Sequence, residues 1–438
     1  MARGKKKTAV LSPEDKLQQA LVPVKEQPYK VPENWCWVYI IKGYAECKDS
    51  CRKPLNASER SKREGDIPYY GATGQVGWID DYLTDEELVL LGEDGAPFLD
   101  LLKDKAYLIS GKAWVNNHAH ILKSFFGHIG NLYLLYYLNI FNFNGYVNGT
   151  TRLKLTQSSM TNIPLPLPPL PEQQRIVDRI ESLFAKLDEA KEKAQAVVDG
   201  FEDRKAAILH KAFTGELTRK WAEQKGISAV AWKDRRFDEV AIVKSNLVEP
   251  ADYQDYPHIA PDNIEKKTGR LLKYRTVAED KVKSGKHKFF AGQILYSKIR
   301  PYLSKVVMVD FDGLCSADMY PIEPKEGINT KYLWYYMLSD DFLLQASTAG
   351  SRSVLPKINQ KELSGLKVRI THEIEQERIV AILDMLMQKE QQAKEAAEQV
   401  IDQIDVIKKS ILARAFRGEL GTNDPNDESA VELLKSVL

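Results

Sequence analysis

The sequence predicts an α+β protein written twice: two similar strand-rich globular units, separated by two long antiparallel coiled-coil helices, with an internal two-fold repeat. Three observations lead there. The first is repetition: EQQRIV (172–177) recurs as EQERIV (375–380), and ILHKAFTGEL (208–217) recurs as ILARAFRGEL (411–420), both offset by 203 residues. Two matches in one register leave no net insertion between them, which chance does not produce, and a repeat of this size sets the fold before any local reading does. Fainter echoes precede each copy in the same order, YLLYYL (133–138) with YLWYYM (332–337) and GTTR (149–152) with GSR (350–352).

The second observation is a heptad seam in each repeat. Ile176, Ile180, Leu183, Leu187, Ala190, Ala194, Val197, Phe201 and Ile208 alternate spacings of four and three with one skipped position, as a coiled-coil contact line does. Ile379, Leu383, Leu386, Ala393, Ala397, Val400, Ile404 and Ile411 keep that register in the second copy, with Glu390 breaking it where Leu187 stands in the first. The intervening residues are Lys, Glu and Gln, a solvated face. About 40 residues at ~1.5 Å each would make a rod on the order of 60 Å. Two such helices in one chain can bury their seams only against each other or against a partner, and an antiparallel pair is expected because it carries the globular units at opposite ends. The third observation is a set of short aromatic and β-branched runs between Gly, Pro and Asn: WCWVYII (35–41), AWVNNHAHIL (113–122), GQILYSKI (292–299) and KVVMVDF (305–311). They read as strands of α+β domains.

Taken in order, residues 1–31 read as a tail with one short helix, with Ser12 as N-cap, Pro13 at the first helical position and Glu14 and Asp15 in the first turn. Residues 32–168 are the first globular unit and 169–225 the first long helix and its linker. The Pro-rich approach NIPLPLPPLPEQQ (162–174) places Pro171 at the helix start and Glu172 in its first turn, where a carboxylate suits the helix dipole. Gly200 is the weak point of this helix, and Gly215 is the residue that would end it in a left-handed turn. Residues 226–372 form the second globular unit. The second long helix and a final segment occupy 373–438, with Thr371 the expected N-cap.

Composition bounds the function. The chain has 438 residues, 43% hydrophobic and 28% charged, with a net charge of +1, an ordinary multidomain soluble composition. No apolar run reaches the ~18 residues of a membrane span, and the opening MARGKKKTAV lacks the apolar core of an export signal. Cys36, Cys47, Cys51 and Cys315 are too few and too scattered for a disulfide framework. A cytoplasmic protein is expected. Lys and Arg number 13 against 15 Asp and Glu over residues 33–168, and 23 against 18 over 232–372. Neither is strongly basic, so any nucleic-acid binding is expected either to be weak in the chain alone or to have partners supply part of the phosphate contact.

Catalytic signatures are missing. The SGK tripeptides at 110–112 and 284–286 lack the upstream glycine of a phosphate loop. PDNIEKK (261–267) places Asp262 and Glu265 too close to converge from two strands as nuclease ligands do. LGEDG (91–95) lacks the spaced oxygens of a calcium loop. His118 and His120 lack a third ligand, and read as hydrogen-bonded strand residues. What remains is a set of polar, aromatic and glycine clusters, IPYYGATG (67–74) and YSKIRPYLSK (296–305). Such segments let a backbone approach DNA while Arg and Lys reach bases or phosphates; they also suit a Tyr-rich hairpin packed on its own domain.

From VPENW (31–35) through IPYYG, LGEDG and SGKAWVNNHAHIL to the Pro-rich approach and EQQRIV, the chain resembles the specificity subunits of type I restriction–modification systems. YSKIRPYLSKV, SADMYPI and LPKINQKEL resemble the second recognition domain of that family. The resemblance implies two target-recognition domains, each reading half of a split double-stranded DNA site. It implies two modification subunits and restriction subunits as partners, which carry S-adenosylmethionine, ATP and Mg, and no cofactor or catalytic residue in this chain. GTTRLK and GSRSVLPK fall where the family has a loop before the last strands of each domain, which makes Arg152, Lys154, Arg352 and Lys357 candidate DNA contacts; Tyr69, Tyr70, Thr73, Lys112, Lys298, Arg300 and Tyr302 join them. The alternative is a non-catalytic coiled-coil bridging protein that does not read DNA, and the near-zero net charge favours it.

Overall fold

A computed structural model describes residues 12–227, 231–350 and 356–438. The chain divides into two compact units, residues 1–194 with 399–438, and residues 195–398. Among the described residues no helix is long and apolar enough to cross a membrane.

The first unit is built on strand Leu88–Gly92, which is buried at all five positions. Successive side chains leave opposite faces of a strand, so Val89 and Leu91 enter one apolar cluster with Leu134 and Leu138, while Leu88 and Leu90 enter another with Val115 and Ile121. Covering on both faces explains why this strand reads LVLLG rather than as an alternation. Its sheet has the order Ala45–Cys47, Ala119–Ser124, Leu88–Gly92, Ala106–Ile109, and a second four-stranded sheet runs Gly74–Ile79, Ile67–Gly71, Lys112–Val115, Thr84–Asp85. A two-stranded ribbon pairs Cys36–Tyr39 with Pro164–Leu167, so the beginning and end of the first globular unit lie side by side. The run 113–122 is two strands, not one, broken at Asn116–His118.

Residues 12–31 are not a free tail. Ser12 caps helix Pro13–Ala20 through a capping box with Asp15, Ala20 is fully buried, and Leu21 bridges to Val38. Residues after the second long helix pack here too: Trp35 donates to Asn423 (3.0 Å) and Lys16 to the Leu438 carbonyl (2.6 Å).

In the second unit, strand Ile294–Ser297 takes the central place, fully buried, in a sheet ordered Ala241–Val243, Met319–Pro324, Ile294–Ser297, Val306–Met308. A five-stranded sheet runs Leu247–Val248, Lys286–Phe289, Gly313–Cys315, Pro257–Ile259, Arg275–Thr276. Lys233–Arg236 pairs with Lys367–Ile370, the counterpart of the ribbon in the first unit.

The first long helix runs Leu170–Asp199, breaks at Gly200 and resumes as Phe201–Phe213; the second runs unbroken from Glu373 to Ala415. Within each unit the paired segments are antiparallel. Asp188 meets Lys408 and Lys191 meets Asp405 in the first unit; Phe201 lies under Lys394 and Arg204 meets Glu390 in the second. Glu390 is therefore no flaw in the seam. Arg204 binds its carboxylate at 2.7 Å and donates to the Val197 carbonyl at 2.8 Å, beside the break at Gly200. Ala393 and Val400, expected in the seam, are exposed, and Lys394 and Ile401 take those places half-buried. An α-helix of 3.6 residues per turn drifts against a strict heptad by ~20° per repeat, enough to turn one column of the seam by a residue. Thr371 is not the N-cap: its hydroxyl bonds the buried Glu375 carboxylate, and the His372 ring nitrogen accepts the Ile374 N–H instead (3.3 Å).

The repeated motifs meet one another. Phe416 stands edge-on to Tyr133 and Tyr137 at 4.9 and 5.1 Å between ring centroids, and Phe213 does the same to Tyr332 and Tyr336 at 5.3 and 5.0 Å. The Glu-Gln pair of each EQ motif is buried. Glu172 accepts from Thr422 (2.6 Å) and Gln173 from Tyr44 (2.8 Å); Glu375 accepts from Thr218 (2.6 Å) and Gln376 from the Asn329 N–H (2.9 Å). Gly215 has φ +78°, the left-handed helix end expected of it, with the Trp232 ring against its α-carbon.

Candidate nucleic-acid interface

Each unit builds the same small frame where its central strand runs out. In the first, the Glu93 N–H donates to the His118 carbonyl (2.8 Å), the Glu93 carbonyl accepts from Leu155 N (2.7 Å), and the Gly95 N–H donates to the Leu153 carbonyl (3.0 Å). Asp94 thereby forms an isolated bridge with Lys154. In the second, the Lys298 N–H donates to the Asp318 carbonyl (3.0 Å), the Lys298 carbonyl accepts from Ile358 N (2.9 Å), and the Arg300 N–H donates to the Pro356 carbonyl (2.7 Å). The bridge there joins Ile299 and Lys357. Bond for bond, Glu93 corresponds to Lys298, Gly95 to Arg300, His118 to Asp318 and Lys154 to Lys357.

The backbone is shared and the charge is not. In the first unit Glu93 takes Arg52 and Lys154, the latter at 3.0 Å, and Asp94 takes His118 at 2.7 Å and Arg152 at 2.8 Å. Arg152 and Lys154 are still more than half exposed. In the second unit Lys298 donates to the Ala317 carbonyl and lies 5.3 Å over the Tyr320 ring, and Lys357 stands 3.4 Å from Asp318. Burial, with the Lys357 charge, holds the Lys298 ammonium below its ordinary value. Arg300 and Tyr302 are exposed beside this cluster. Arg352 lies outside the described residues.

The remaining candidates divide. Thr73 is exposed at the tip of the hairpin between Ile67–Gly71 and Gly74–Ile79. The hairpin reaches the frame, since a β-carbon on Gly92 would lie 2.9 Å from the Ala72 carbonyl. Tyr70 is half-buried against Tyr107. Tyr69 is 2% exposed, on the covered face of the same strand beneath Arg60, so its ring holds the sheet and offers no edge to a nucleic acid. Lys112 is exposed over the Tyr82 ring (4.6 Å), at the far end of its strand, ~13 Å from Asn116 at ~3.3 Å per residue. Glu93 and Asp94, in the frame itself, were read in the sequence only as part of LGEDG, and Arg52 beside it was not read at all; Arg52 reaches Glu93 from 41 positions away, a pairing that no local pattern announces.

Asp49, Glu93 and His120 bring ligand-type atoms within 4.8 Å of one another, but the charges there are already answered. His120 bonds Asp49 through Nδ1 (2.7 Å) and the Leu155 carbonyl through Nε2 (2.9 Å), and Arg52 binds both carboxylates. Burial pushes both carboxyls up, yet for Asp49 the His120 bond and charge, and for Glu93 the Arg52 and Lys154 bonds, outweigh it and hold each below its ordinary value. With depressed folded-state values, the unfolded chain takes up protons first as pH falls. The stabilisation is therefore present above the ordinary Glu value of 4.5 and is lost as pH drops through the folded-state values. The urea midpoint of the wild type should fall more steeply below that pH than that of Asp49→Asn; parallel slopes would contradict the network.

The family model of the type I restriction modification DNA specificity domain matches residues 32–198 and again 229–401. The chain belongs to the type I restriction–modification DNA specificity family. It is 34% identical over 378 residues to the type I restriction enzyme EcoDI specificity subunit of Escherichia coli, covering 82% of this chain and 83% of that one. It is 22% identical to the EcoKI specificity subunit of E. coli K12, over 60% of this chain and 59% of that one. Among solved structures, the HsdS subunit from Thermoanaerobacter tengcongensis matches with a TM-score of 0.59 at 18% identity, over 91% of this chain and all of that one. A chain from a structure of type I restriction–modification complex assembly matches with a TM-score of 0.61 at 17% identity, over 90% of this chain and all of that one. The doubled family match coincides with the doubled frame, and the chain is a DNA specificity protein rather than a bridging scaffold.

Proposed function

We propose that this specificity chain reads a split, asymmetric double-stranded DNA site, one half per unit, and directs methyl transfer and cleavage performed by other subunits. The observation that carries the reading is the matched frame, which presents Lys154 and Lys357 at the same backbone position of each unit, beside Arg152 in the first and Lys298 and Arg300 in the second. Thr73, Tyr70 and Tyr302 lie within reach of these loops; Arg352, by its place between Gly350 and Lys357, joins them, and Lys112 makes an outlying contact. The two recognition domains span 32–168 and 226–372. S-adenosylmethionine, ATP and Mg belong to the partners, two modification subunits and the restriction subunits, in the cytoplasm, and this chain supplies no catalytic group.

The first-unit frame spends its own acids on its cations, so binding by the chain alone should be weak. Affinity that rests on phosphates needs many free cations, and here Glu93 and Asp94 hold Lys154 and Arg152. In a gel shift at fixed salt, the purified chain should bind DNA with little sequence preference and neither methylate nor cleave it. Adding modification subunit should tighten specific binding by at least about 10³-fold, the lower end of the usual gap between specific and non-specific affinity. Full sequence-specific affinity of the isolated chain would contradict the proposal.

A further inference from the structure

We infer that Arg152 and Arg300 are matched base-reading residues, each contacting a guanine in the half-site of its own unit; the inference rests on the recognition reading above. The two are not equivalent in sequence. Arg300 corresponds to Gly95 in the frame, and both take left-handed backbone, φ +49° and +71°. A β-carbon built on Gly95 would come 3.1 Å from Arg152 Nε and 3.4 Å from its Nη2. The Arg152 guanidinium therefore lies over the point from which, in the second unit, the Arg300 side chain departs. One arginine stands at this point in each frame, delivered from opposite strands of the bridge.

The backbone at Arg300 argues that direction matters there. Left-handed φ disfavours any residue with a β-carbon, and glycine fits the matching position in the first unit. A second left-handed residue, Ser304 (φ +44°), closes the same turn. The strained conformation is pinned by Arg300 N–H to the Pro356 carbonyl (2.7 Å), Leu303 N–H to the Arg300 carbonyl (2.9 Å) and Ser304 N–H to the Pro301 carbonyl (2.9 Å). Strain held by surrounding bonds marks functional positions. A phosphate contact needs only a cation, which a flexible lysine supplies; a fixed mount suits a planar fork aimed at one acceptor pair, and guanine O6 and N7 are the pair that arginine matches. Among the described residues the exposed Arg300 guanidinium has no ion-pair or hydrogen-bond partner, while Arg152 is held by Asp94 alone.

Arg300→Gly and Arg152→Ala, each expressed with a modification subunit and mapped for methylated motifs across a genome, test this. Arg300→Gly should lose about 10- to 100-fold of the preference for G at a single position of one half-site, with the other half-site and the gap unchanged. Its melting temperature should be unchanged or raised, because glycine relieves the left-handed backbone. Arg152→Ala should relax one G in the other half-site. An unrelaxed motif, a uniform fall in methylation with no relaxed position, or both variants relaxing the same half-site would overturn the inference. Wild-type maps with and without this chain separate the two failures: if methylation does not depend on the chain, the recognition reading itself falls.

Discussion

Phe416→Ala is expected to destabilise the first unit by about 3–5 kcal/mol, the range for removing a fully buried aromatic ring. Phe416 is 1% exposed and sits edge-on between Tyr133 and Tyr137. Those two hydroxyls reach past it to the carbonyls of Pro166 (2.8 Å) and Pro164 (2.5 Å) in the ribbon strand. The ring thus joins the end of the second long helix to helix Gly127–Ile140 and to the ribbon, and its loss leaves a cavity that three rigid elements cannot close. Phe213→Ala should do the same to the second unit, where Tyr332 and Tyr336 reach the carbonyls of Arg369 (2.7 Å) and Lys367 (3.2 Å). Differential scanning calorimetry of the whole chain should show one unit melting earlier in each variant. A loss below about 1 kcal/mol, or a single uniform shift in both variants, would contradict this role.

These contacts also show why so much was legible beforehand. The repeated fragments AF-x-GEL, YL-x-YY and EQ-x-RIV are spaced far apart in the chain, but each contacts another in the folded unit or bonds its neighbours there. Repetition marks the joint between helix and domain, which both copies need. The pairing of the long helices followed from their apolar columns, the break from Gly200 as a poor helix former, and the left-handed helix end from Gly215. Ala393 and Val400 were misplaced because a strict heptad does not track a straight helix over 43 residues. Tyr69 was avoidable: adjacent residues of a strand face opposite ways, so a strand with one covered face can expose only one of Tyr69 and Tyr70.

The frame itself was half legible. Lys154 and Lys357 are 203 residues apart, the offset of the repeat, and they match in space; Glu93 and Lys298 also match, but in opposite charge and at a different offset, so nothing in the sequence aligns them. Arg52, Glu93 and His120 depend on pairings between distant strands, such as Leu91 with His120, which no local pattern encodes. Between the two units the backbone is kept and the charge reversed, which the proposed reading of two different half-sites requires.

The most direct measurement exchanges residues 33–168 for the first domain of another family member and maps methylated motifs with the modification subunit present. The exchanged segment carries both ribbon strands, Cys36–Tyr39 and Pro164–Leu167, so no sheet is split. If each unit reads its own half-site, one half of the motif should change completely, a switch of about 10³-fold or more in preference. The other half and the gap should stay as they were. A motif altered in both halves, or in neither, would contradict the central claim that recognition is divided between the two units.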